Sequence, residues 1–115
     1  MIPGSWSTVV KLPPQDLLYY IVYCLRKLGE RHTISTEPTP SLRLVRVIRV
    51  ESTSQITIIL HDHDGSTLLE IHPADSNHPT LRKLLSMLIR TLPRAWSQLK
   101  KREWIKMWPF LRDVR

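Results

Sequence analysis

One stretch restricts the fold of this 115-residue chain more than any other, and it runs from Leu42 to His72. It begins Leu-Arg-Leu-Val-Arg-Val-Ile-Arg-Val, breaks at a polar patch, and resumes as Gln-Ile-Thr-Ile-Ile-Leu-His. Asp-His-Asp-Gly follows, and the stretch closes as Ser-Thr-Leu-Leu-Glu-Ile-His. Short runs this rich in β-branched residues read as strands, because such side chains pack well on a pleated surface. The Asp64-Gly65 pair suits a two-residue type I′ turn, which needs positive φ at both positions. With that turn His63 opposes Ser66, Leu60 opposes Leu69 and Ile58 opposes Ile71. Strand alternation then places Ile56, Ile58, Leu60, Leu69 and Ile71 on one wholly apolar face. Thr57, Ile59, His61, Leu68, Glu70 and His72 fall on the other. A three-residue loop would mix Glu70 and His72 among the isoleucines, so the two-residue turn is preferred.

The run before it carries Arg43, Arg46 and Arg49 at a spacing of three, which matches neither strand alternation nor one clean helical stripe. Two readings account for it. A bulged edge strand with outward arginines would block unwanted pairing. A row of arginines could instead face phosphate.

Helical periodicity flanks this β-rich centre. Pro13-Pro14 starts a helix that should run from about Pro14 to Leu28 and end at Gly29. Leu17, Leu18, Ile21, Leu25 and Leu28 form one apolar stripe, while Tyr19, Val22, Tyr23 and Arg26 form a second beside it. A helix this apolar is buried on more than one side, so Tyr19, Val22 and Tyr23 are candidates for a homodimer interface. Before it, Ser7 to Lys11 reads as a possible short strand. After it, residues 30–41 read as a proline- and threonine-rich loop with a short extended piece around Ile34. Pro73 ends the last strand, and Ser76 or Asn77 can cap a further helix with Pro79 in its first turn. Leu81, Leu84, Leu85, Leu88 and Leu92 form its stripe. Pro93 opens a third helical segment, about Arg94 to Trp108, with Trp96, Leu99, Trp104, Met107 and Trp108 in a loose apolar arc. The expected fold is a single α+β domain over residues 1–115. It has an N-terminal helix, an antiparallel sheet of three or four strands, and two C-terminal helices on one sheet face.

Charge is lopsided. The net charge is +7, yet residues 61–77 hold four acidic and no basic side chains, while residues 78–115 hold ten basic and two acidic. Such asymmetry speaks of partners rather than fold. The single cysteine, Cys24, excludes an internal disulfide and a cysteine zinc site within one chain. The longest apolar run, Leu17 to Leu25, is too short to span a bilayer, and the N-terminus does not read as a secretory leader. An intracellular location, cytoplasmic or nuclear, is therefore expected.

Chemistry-bearing patterns are sparse. His61-Asp62-His63-Asp64 hints at a metal site, but the strand partners of the two histidines are Leu68 and Ser66, so ligands do not converge as zinc requires. Only Gly4, Gly29 and Gly65 occur, each isolated, which rules out a glycine-rich phosphate loop. No nucleophile elbow is legible. No cofactor, metal or catalytic residue is assigned, and the chain is expected to be a non-enzymatic binding module. Its best lead is the basic, tryptophan-bearing C-terminal segment, with Arg94, Lys100, Lys101, Arg102 and Lys106 around Trp104 and Trp108. Cations neutralise phosphates and aromatics stack on unpaired bases, so RNA or single-stranded DNA is the expected partner, with Arg43, Arg46 and Arg49 as further contacts. An anionic membrane surface or another protein is the alternative, as for a regulatory or viral accessory protein.

Overall fold

A computed structural model describes residues 6–51, 56–72 and 79–91. The elements in order are β1 (Trp6–Val10), α1 (Pro14–Lys27), β2 (Arg31–Pro38), β3 (Leu44–Glu51), β4 (Ile56–His63), β5 (Ser66–His72) and α2 (Pro79–Thr91). The five strands form one antiparallel sheet in the order β1-β5-β4-β3-β2. Chain order from β2 to β5 is a meander of hairpins. α1 carries the chain from one edge strand, β1, to the opposite edge strand, β2.

The Asp64-Gly65 turn has φ of 51° and 82°, positive at both positions as a type I′ turn requires. Its register pairs His63 with Ser66, Leu60 with Leu69 and Ile58 with Ile71, as the two-residue turn demands. Asp62 Oδ1 accepts a hydrogen bond from the Gly65 amide at 3.3 Å and braces the corner. The β2–β3 hairpin closes differently. The Leu42 amide donates to the Thr39 carbonyl at 2.8 Å, and the Thr39 amide donates to the Arg43 carbonyl at 2.9 Å. This is a three-residue loop whose last position is left-handed, and Leu42 occupies it at φ 65°.

α1 begins at a proline pair, where a missing amide costs nothing, and ends in a glycine cap. Gly29 sits at φ 71°, and the Glu30 amide reaches back to the Leu25 carbonyl at 2.9 Å. Both helices lie on one face of the sheet. Leu17, Ile21 and Leu25 of α1 and Leu81, Leu84 and Leu85 of α2 are fully buried against Ile48, Val50, Ile56, Ile58, Leu60, Leu69 and Ile71. Each such side chain contributes about 1.5–3 kcal/mol of transfer free energy. Thr67, buried on β5, donates its hydroxyl to the Leu12 carbonyl at 2.7 Å and pins the β1–α1 corner to the sheet.

Three expectations need correction. The sheet has five strands rather than three or four, because Trp6–Val10 and Arg31–Pro38 both pair. Edge strands need only half a hydrophobic pattern, so the polar text of residues 31–38 reads as loop although it forms eight residues of ladder. The short strand read at Ser7–Lys11 before the first helix is present as Trp6–Val10. Of the expected pair of C-terminal helices, the described residues contain one, Pro79–Thr91; the segment expected at about 94–108 lies outside them. β3 is an interior strand between β4 and β2, with a continuous register on both sides, so it is neither an edge nor bulged.

Candidate binding surface

The arginine triplet is split by the very alternation it seemed to defy. Arg46 pairs across with Leu60 on the helix-bearing face, and its guanidinium donates to Gln15 Oε1 of α1 at 3.2 Å. Arg49 points to the opposite face and forms a two-pronged contact with Glu37, at 2.6 and 3.1 Å. Ser35 accepts from Arg49 at 3.1 Å and donates to the same carboxylate. The Glu37 carboxyl is held down at about 2, chiefly by the hydrogen bond from Arg49 and then by that from Ser35. Arg43 lies beside the β2–β3 loop. No continuous row of arginines faces one way, and Arg49 is neutralised within the sheet.

The face of the sheet turned away from α1 and α2 carries a second charged group. Glu70 lies between two imidazoles, with His61 Nε2 2.6 Å from Oε1 and His72 Nε2 2.9 Å from Oε2. The His61 approach is short but off the line that a hydrogen bond needs, so it acts as an ion pair when the ring is protonated, whereas His72 is hydrogen-bonded. Burial pushes the Glu70 carboxyl up; the His72 hydrogen bond and the His61 charge outweigh it and leave the group below its ordinary value. Each imidazole thus spends one nitrogen on the same carboxylate. Among the described residues no group of three or more His, Cys, Asp or Glu side chains is placed to hold a metal ion. Between these two clusters Val45 and Val47 are buried, 6% and 4% exposed.

At the hairpin end of this face the β2–β3 loop and the β4–β5 turn enclose a concavity of about 820 Å³. Val45 and Leu68 form its floor, Arg43 one rim, and Asp62, Asp64 and His63 the other. Its mixed signs make it a poor phosphate trap, since two carboxylates face one guanidinium. No local motif announces this concavity; it exists because the register brings a loop and a turn to the same end of the sheet.

The outer surface of the helical layer is more uniform. Arg26 and Lys27 at the end of α1, and Lys83 on α2, are exposed. Thr80 Oγ1 donates to Glu30 Oε1 at 3.1 Å, which ties the start of α2 to the end of α1 and gathers these cations at one end. Lys27 Nζ stands 5.6 Å from the Tyr23 ring centroid, a cation–π distance. Tyr19 and Tyr23 are 67% and 44% exposed, so the described residues leave much of the second stripe of α1 bare; Val22 is partly buried against the core. Tyr19, Tyr23 and Arg26, already on one stripe in the sequence, form with Lys27 an aromatic, cationic patch on α1. Arg94, Lys100, Lys101, Arg102, Trp104, Lys106 and Trp108 lie outside the described residues. No described helix is long and apolar enough to cross a membrane.

No protein-family model matches this chain, and no match emerges among the curated proteins or the solved structures.

Proposed function

We propose that this chain is a small non-enzymatic binding module that contacts nucleic acid, RNA or single-stranded DNA, through its cationic C-terminal third. The observation that carries this reading is the charge distribution, ten basic against two acidic side chains in residues 78–115, with three of the four tryptophans among them. Phosphate contacts supply affinity without sequence preference, and tryptophans add stacking on unpaired bases. The exposed Arg26, Lys27 and Lys83 extend a positive surface over the helical layer. Arg49 is the weaker candidate for a phosphate contact, because Glu37 neutralises it inside the domain, whereas Arg46 donates to the neutral Gln15 amide and keeps its charge.

The test compares retention of the chain on RNA, single-stranded DNA, duplex DNA and anionic vesicles, beside a variant with Lys100, Lys101, Arg102 and Lys106 changed to Glu. Retention on single strands should be strong at low salt, fall steeply by physiological salt, and be lost in the variant. Equal retention of the variant, or binding to vesicles alone, refutes the reading. Exposed Tyr19 at 67%, Leu42 at 85% and Leu44 at 67% favour a second reading, an interaction module for another protein, whose affinity would be nearly independent of salt.

A further inference from the structure

The sheet ends at β2, and among the described residues nothing pairs with its outer side. An eight-residue edge is long enough to template another strand, a hazard that proteins usually blunt. The phase of its ladder can be read from the hairpin loop. The Thr39 amide bonds to the Arg43 carbonyl, and the register continues unbroken through Pro38↔Leu44 to Arg31↔Glu51. Odd-numbered residues of β2 therefore turn their backbone groups toward β3, and even-numbered residues turn theirs outward. His32, Ile34 and Thr36 each present an amide and a carbonyl to the outside. Pro38, next in that phase, has no amide and ends the open edge.

We propose that β2 pairs with β2 of a second copy, antiparallel about a two-fold axis at Ile34, to build one continuous ten-stranded sheet. The sequence of this edge is its own complement in that register. Ile34 meets its symmetry mate, His32 meets Thr36, Thr33 meets Ser35 and Arg31 meets Glu37. The three outward residues then exchange about six backbone hydrogen bonds across the axis. Arg31 and Glu37 lie on the face away from the helices, where each copy's Arg31 would join Arg49 beside the partner's Glu37 carboxylate. Sliding the strands by two residues either way loses these matches: one slip sets Arg31 against Ser35, the other sets Glu37 against Thr33. Ile34 is 43% exposed, and pairing would cover it. α1 agrees with this placement. Gln15, Tyr19 and Val22 share one flank of the helix, and the bond from Arg46 to Gln15 aims that flank toward the β2 side. The exposed Tyr19 would then border the joint. This pairing does not rest on the nucleic-acid reading, though two copies would double the cationic surface.

Sedimentation equilibrium of the full chain over a concentration series, with and without Ile34→Lys, tests the joint. Two lysines facing each other across the axis should weaken the dimer at least about tenfold while leaving the circular dichroism spectrum unchanged. A register test stands beside it. Thr33 and Ser35 of opposite copies form a non-hydrogen-bonded pair with Cα atoms about 4.5 Å apart, within disulfide reach. Separately purified Thr33→Cys and Ser35→Cys chains should cross-link on mixing, and neither should cross-link with itself. The wild-type chain, whose single thiol is buried, is the control. A monomer at every concentration overturns the proposal. So does a dimer indifferent to Ile34→Lys, or self-cross-linking of either cysteine variant, which would place a different register.

Discussion

Leu42 stands where the fold asks for a glycine. Its φ of 65° lies in the left-handed region, and its side chain is 85% exposed, so little packing offsets the backbone cost. For an L-residue that conformation costs about 1–2 kcal/mol. Leu42→Gly removes the strain but gives the unfolded chain back roughly 0.5–1 kcal/mol of freedom. The expected net effect is a stabilisation of about 0.5–1 kcal/mol. Leu42→Asn, which tolerates this region without glycine's entropy, should do about as well. Leu42→Val, with its branched Cβ, should be worse than leucine. With a urea slope of about 1.5 kcal/mol/M, the glycine variant's midpoint should rise by about 0.3–0.7 M at constant slope. If glycine and asparagine both lower the midpoint, the loop does not need positive φ at this position, and the hydrogen-bond pattern assigned to residues 39–43 is wrong.

Three further outcomes are expected. The Glu37 carboxyl is depressed to about 2 by Arg49 and Ser35, so its contribution is complete above the ordinary carboxylate range and is lost as pH falls from about 4.5 toward 2. Urea titrations over that window should show wild type losing more stability than Glu37→Gln, and superimposable acid profiles would contradict the pairing. Leu85, fully buried between α2 and the sheet, should cost about 2–5 kcal/mol as Leu85→Ala. Leu85→Asp should prevent cooperative folding, and a wild-type melting temperature in the aspartate variant would refute the packing of α2. Burial raises the Cys24 thiol to about 11, so an aromatic disulfide reagent at pH 8 should label it only as fast as the domain opens. Labelling at the rate of a free thiol would place Cys24 outside the core.

What could be read from the residues depended on how much contrast each element carries. The β4–β5 hairpin is legible because one face is all isoleucine and leucine, and because Asp64-Gly65 allows only a tight turn; a slip of one residue would bury Glu70. α1 and α2 are legible from their leucine spacing and from proline and glycine at their ends. β2 is not legible because an edge strand covered on one side needs no apolar alternation, and Ser35, Thr36 and Glu37 look like loop until Val47, Arg46 and Val45 are set beside them. The three arginines are illegible for the same reason. Their spacing of three looked irregular, yet it sends Arg46 to one face and Arg49 to the other, and each meets a partner distant in sequence. Neither Gln15 nor Glu37 is marked locally as a partner, so the register had to come first.

Charge pattern and fold answer different questions in this chain. On β3, Arg49 is neutralised by Glu37, and Arg46 donates to the neutral amide of Gln15. A positive row on β3 would have been disfavoured, because β3 is interior and its neighbours must accommodate whatever it presents. Surplus charge can persist only where no partner strand imposes a complement, on the outer surface of helices and along an open edge. Exposed cations among the described residues fall in such places: Arg26, Lys27, Lys83 and Arg90 on the helical layer, Lys11 between β1 and α1, Arg31 at the end of β2, and Arg43 at a hairpin loop. A cationic row on an interior strand is therefore weak evidence for an anionic ligand. The cationic outer surface of the helices beside exposed Tyr19 and Tyr23 is the better place to test for one, because no neighbouring strand imposes a complement there.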